Sequence, residues 1–110
     1  MAIYITQGRY TGAAIKGLLA KPEDREKEVR ALVERAGGKL LGYYITFGEY
    51  DWMTISEVAD PLAVMGIVAT AGATGTVSDV KTTLAFTGAD AQKALAMAAA
   101  NAQAFRGAGT

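Results

Sequence analysis

An α+β domain in the order β-α-β-β-α-β, followed by one extra helix, is the fold class that this 110-residue chain predicts. Three observations predict it. Four short runs rich in β-branched and aromatic residues are separated by segments with helical spacing of apolar residues. The second and third runs are joined only by Gly48-Glu49-Tyr50, a hairpin-sized connection. The length suits one domain, and a 51% hydrophobic content is enough for a core.

Each element has its own signal. Ala2 to Gly8 alternates Ile3 and Ile5 with Tyr4 and Thr6, the period of a pleated strand. Thr11 is placed as the N-cap of a short helix over Ala13 to Ala20. Pro22 suits the first turn of a second helix, Glu23 to Ala36, with Val29, Leu32, Val33 and Ala36 on one stripe. Its dense charges read as a solvated face, and acids in its first turn complement the helix dipole. Gly37-Gly38 ends that helix, since glycine accepts the left-handed conformation. Lys39 to Phe47 and Asp51 to Val58 read as the hairpin strands. Asp60-Pro61 opens a third helix as N-cap and first residue, and Thr76 to Phe86 reads as the fourth strand. Beyond Thr87 an Ala-rich helix is expected to about Phe105. The order is that of a ferredoxin-like split βαβ: an antiparallel sheet with helices on one face. One domain over 1–106 with a loose tail at 107–110 is expected.

Composition removes whole classes of chemistry. There is no Cys and no His, so no disulfide, thiolate nucleophile, imidazole base or proximal haem ligand is available. Eleven basic residues balance 11 acidic ones, which argues against an electrostatic hold on nucleic acid or an anionic membrane. The carboxylates form no metal-spaced cluster and the glycines no phosphate-cradling motif, so neither a metal nor a cofactor is expected. The first ten residues lack the apolar stretch of a signal peptide, and polar residues interrupt Ala89 to Phe105. A cytoplasmic protein is the default.

The sheet of such a fold keeps one face free of its own helices. Alternation assigns Ile3, Ile5, Leu41, Tyr43, Ile45, Met53, Ile55, Val80, Leu84 and Phe86 to the helix side. It leaves Tyr4, Thr6, Tyr44, Thr46, Trp52, Thr54, Ser56, Asp79, Lys81 and Thr83 on the open side. Large rings on an open face suggest a partner or ligand, although Tyr and Trp are also good strand formers. This sorting requires an odd-length loop or bulge around Gly48-Glu49-Tyr50. A two-residue turn would pair Ile45 with Trp52 and move Trp52 to the helix side.

The stretch Tyr44-Ile45-Thr46-Phe47-Gly48-Glu49-Tyr50-Asp51 resembles the signature of the GYD-domain family. Tyr10-Thr11-Gly12, Gly37-Gly38-Lys39 and Thr82-Thr83-Leu84-Ala85-Phe86 extend the resemblance over roughly Ile3 to Ala89. It implies a dimeric α+β barrel, in which two ferredoxin-like protomers set their open sheet faces together around a space. It implies no particular chemistry, because that architecture serves enzymes and ligand sensors alike.

The sequence therefore points to a homodimer or higher oligomer binding a small, partly apolar molecule in the space between facing sheets, with Tyr4, Thr6, Tyr44, Thr46, Trp52 and Thr54 as lining residues. A cofactor-independent enzyme of the same architecture is the alternative. It would use Tyr50, Asp51 and Arg9 to polarise an aromatic or carbonyl substrate, proton transfer falling on groups other than imidazole. The plainer readings are a turn glycine for Gly48, an amphipathic ring at a subunit rim for Tyr50, and for Asp51 a carboxylate that accepts from local backbone donors or pairs with Arg9. A third reading is a purely structural oligomer.

Overall fold

The computed structural model describes all residues from Met1 to Thr110. Strand β1 (Ala2–Tyr10) runs through the middle of an antiparallel sheet, next to β3 (Trp52–Val58) and β4 (Val77–Ala85), with β2 (Lys39–Ile45) outside β3. The order β2-β3-β1-β4 is ferredoxin-like. Helix α1 (Gly12–Ala20) follows β1, and α2 (Glu26–Arg35) leads to β2. Helix α3 (Pro61–Ala73) joins β3 to β4, and α4 (Gly88–Ala102) follows β4.

The caps act as their residue types dictate. Thr11 accepts a hydrogen bond from Ala14 N, Asp60 from Leu62 N and Thr87 from Asp90 N. Gly37, at φ +82°, takes the left-handed turn that ends α2. Helix α2 begins later than expected. Pro22 lies before it, and the Asp24 carboxylate accepts from Glu26 N, which holds the preceding residues in a turn.

The hairpin register differs from the expected one. Ile45 pairs directly with Trp52, so the connection over residues 46–51 is even in length and needs no bulge at Gly48. The irregularity lies instead between Leu40 and Gly42 on β2. The main consequence falls on β1 and β3, whose faces are the reverse of the expected assignment. Trp52, Thr54, Ser56 and Val58 are buried beneath α2 and α3, and their partners Gly8, Thr6, Tyr4 and Ala2 share that side. Ile3, Ile5, Met53 and Ile55 face away from the helices. On β4 and the hairpin half of β2 the expected sorting holds: Tyr43 and Val80 lie under the helices, while Tyr44 and Lys81 turn outward. Leu41, expected under the helices, is exposed, because the bulge puts Leu40 opposite Ser56 in its place. Phe86, expected in the core, lies past the end of β4 and is 68% exposed.

The physical reason is that hydrophobicity and packing favour opposite faces of the two central strands. Hydrophobicity alone favours isoleucine for the core, but packing favours the indole. The ring of Trp52 lies over Gly8, the only helix-side residue of β1 with no side chain. The apolar centre is Val33, Leu40, Trp52 and Val58. Gly38 lets α2 close on β3, since a Cβ there would stand 2.9 Å from Val58 Cγ2 and 3.0 Å from Val33 Cγ1.

Helix α4 departs from this body. Apart from half-buried Ala91 its residues are exposed, and the molecule extends 60 × 32 × 22 Å with a radius of gyration of 18.0 Å. A compact chain of this length would have about 13 Å.

Candidate functional site

Helices α2 and α3 do not seal the sheet beneath them. Between them and the sheet lies a cavity of about 310 Å³, at the low end of the range for small-molecule sites. Its walls are apolar: Val29, Leu32 and Val33 from α2, and Val64, Ile67 and Val68 from α3. Its floor is polar, with Thr6 on β1, Tyr43 on β2 and Trp52, Thr54 and Ser56 on β3.

The floor follows from the register. Side chains two apart on a strand share a face, so pairing Ile45 with Trp52 carries Thr54 and Ser56 beneath the helices together. These two hydroxyl residues are only 9% and 7% exposed. Trp52 Nε1 is buried and has no hydrogen-bond partner. A buried donor without a partner costs about 1–3 kcal/mol. Thr6 Oγ1 lies 3.1 Å from Thr82 Oγ1 across the β1–β4 pair.

At one end of the floor the hydroxyls of Tyr10 and Tyr43 are 3.3 Å apart. Burial pushes the Tyr43 phenol above its ordinary range, and the hydrogen bond with Tyr10 adds to that shift. The group therefore stays protonated. Arg25, Glu28 and Arg35 bring charge to the helix side of the cavity, and Arg25 is paired with Glu23 at 3.2 Å.

The six expected lining residues do not come together. Thr6, Trp52 and Thr54 line the cavity. Tyr4 is on the same side of the sheet, opposite Ser56, but outside the lining. Tyr44 lies on the other face and is 55% exposed. Thr46 belongs to the β2–β3 connection, where its hydroxyl donates to Tyr50 O at 2.6 Å. Ser56, Tyr43 and Tyr10 also form the site and were not among those six. The signal that finds Ser56 and Tyr43 is the Ile45–Trp52 pairing, which an even-length hairpin loop implies.

The hairpin-end residues have a different job. Asp51 Oδ2 accepts from Tyr10 N at 2.8 Å, and Asp51 N donates to Gly8 O at 2.9 Å. Asp51 thus ties the hairpin to the end of β1. Tyr50 is half-buried and contributes its carbonyl to Thr46, and Arg9 is exposed with no ion pair to Asp51. None of the three lines the cavity.

No helix is long and apolar enough to cross a membrane. No curated protein matches the chain. Among solved structures, the chain is similar to FFRP-DM1, at 15% identity and a TM-score of 0.49, covering 78% of this chain and 100% of that one. It is likewise similar to a protein from Thermus thermophilus, at 20% identity and TM-score 0.49, covering 79% of this chain and 95% of that one. A hypothetical protein from Pyrococcus horikoshii is similar at 15% identity and TM-score 0.48, with 79% and 92% covered. The sequence model described as the GYD domain matches residues 4–95.

Proposed function

We propose that this chain, which belongs to the GYD domain family, is a homo-oligomeric module that binds a small, partly apolar molecule inside each subunit. The observation that carries the reading is the cavity itself, with its apolar walls over a floor that carries the hydroxyls of Thr54 and Ser56, residues themselves nine-tenths buried. A space that served packing alone would be filled by side chains, because interiors are close-packed. Hydroxyls buried without need are costly.

The oligomer rests on the other face. Ile3, Ile5, Met53 and Ile55 form an apolar patch on the helix-free side, joined by Tyr44. Central strands whose helix-free face is isoleucine and methionine suit a sheet covered on that side as well. Zero net charge removes the repulsion that would oppose like subunits. The subunits meet through this face, and the ligand lies under the helices. Nothing at the hairpin end favours the enzyme reading, because Asp51 is engaged by backbone groups.

Native mass spectrometry of protein purified from its own host tests the ligand half: a non-covalent small-molecule adduct is expected, and its absence across preparations refutes it. Sedimentation tests the other half. A dimer or larger species is expected, and a monomer at every concentration refutes the oligomer.

A further inference from the structure

We infer that the molecule held in the cavity is uncharged, with a hydrocarbon body and an oxygen function that reaches the hydroxyls of Thr54 and Ser56. This rests on the reading of the cavity as a binding site and adds the chemical class of the occupant. Thr54 and Ser56 line the cavity while being more than nine-tenths buried, and neither hydroxyl takes part in a hydrogen bond within the chain. Being two residues apart on β3, they stand side by side on one face, about 7 Å apart at the backbone. Trp52 extends the same row with a buried indole N–H that has no partner.

Each ligand class meets this row differently. A pure hydrocarbon would leave buried hydroxyls unpaired, and sites built to hydrogen-bond reject analogues that lack the matching group. An anion would leave water for a floor without a cation. The charged lining residues, Arg25, Glu28 and Arg35, all belong to α2 or its approach, and they carry both signs. A neutral carbonyl oxygen suits the pair Thr54 and Ser56, because hydroxyl groups donate to it. The walls Val29, Leu32, Ile67 and Val68 then take the hydrocarbon.

Three probes of similar size test this: acetophenone, ethylbenzene and benzoate, titrated into the full chain and followed by calorimetry. Acetophenone is expected to bind about tenfold tighter than ethylbenzene, with benzoate weakest. The double variant Thr54→Val, Ser56→Ala keeps the walls and removes both hydroxyls, and should shrink the acetophenone preference to about twofold or less. The chain has a single Trp, so one indole N–H resonance serves as a second measurement on unaltered protein. It should move further with acetophenone than with ethylbenzene. Ethylbenzene binding as tightly as acetophenone, benzoate binding tightest, or equal movement of that resonance with both neutral probes overturns the inference and leaves the cavity standing. Failure of all three to bind at millimolar concentration overturns the cavity reading itself.

Discussion

Gly8→Ala separates two effects of opposite sign. Gly8 has no positive φ, so its backbone conformation is open to alanine. On propensity alone the change should stabilise a strand interior by about 0.5–1 kcal/mol. Packing says the reverse. A Cβ at Gly8 would stand 2.9 Å from Trp52 Cε2 and 3.1 Å from Cη2, and closer still to Cζ2. Carbon atoms pack best at about 3.5–4.0 Å, so the indole must move. It is 8% exposed, and overpacking of this kind costs about 1–3 kcal/mol. Packing therefore prevails, with a net loss of about 1–2 kcal/mol. For a domain of this length that lowers Tm by about 4–8 °C. Thermal unfolding followed by circular dichroism measures the loss, and emission of the single Trp should shift as the ring leaves its seat. An unchanged or raised Tm would refute both the packing argument and the β1–β3 register on which it stands.

Further outcomes follow from other contacts. Asp51→Ala removes the carboxylate that accepts from Tyr10 N, and chemical denaturation should show a loss of about 1–2 kcal/mol, whereas Tyr50→Phe should be nearly neutral. Tyr43 is held protonated in the fold at a pH where an unfolded chain would ionise it. Its contribution is therefore fully present below pH 10.0, the ordinary value, and is lost as pH rises toward the folded-state value. Denaturation curves from pH 9 to 11 should show that loss in the parent and a smaller one in Tyr43→Phe. Ending the chain after Thr87 deletes an exposed helix, so the body should keep its unfolding free energy to within about 0.5 kcal/mol.

Most of the fold was legible because local signals agreed with one another. Thr11, Asp60-Pro61 and Thr87 mark helix starts by capping chemistry that acts within four residues. Gly37 marks a stop by backbone freedom. The order of elements followed from those marks. The site was legible only in part, because it depends on a quantity that local signals do not contain, the parity of the β2–β3 connection. Thr6, Trp52 and Thr54 were singled out as rings and hydroxyls on a face where plain solvation would call for more charge. They were given the wrong side of the sheet. Isoleucines on β1 and β3 outweigh Tyr4, Thr6, Thr54 and Ser56 on any hydrophobicity scale, so their outward face looked like the buried one.

Gly8 contains the answer to that parity. The helix-side residues of β1 are Ala2, Tyr4, Thr6, Gly8 and Tyr10, and only one of them has no side chain. An indole lying flat on a strand needs such a gap. Sliding β3 by two residues would bring Trp52 against Thr6 or Tyr10, where a side chain already occupies the seat. Sliding by one would send it to the open face, among Gln7 and Arg9. A tryptophan that opens β3 and a glycine near the end of β1 thus fix the pairing together. Once they do, the row Trp52, Thr54, Ser56 must lie under α2 and α3, and the isoleucines must face outward. The interior cavity and the outward apolar face are therefore two consequences of one contact. A change that displaced the indole should disturb ligand binding and self-association together.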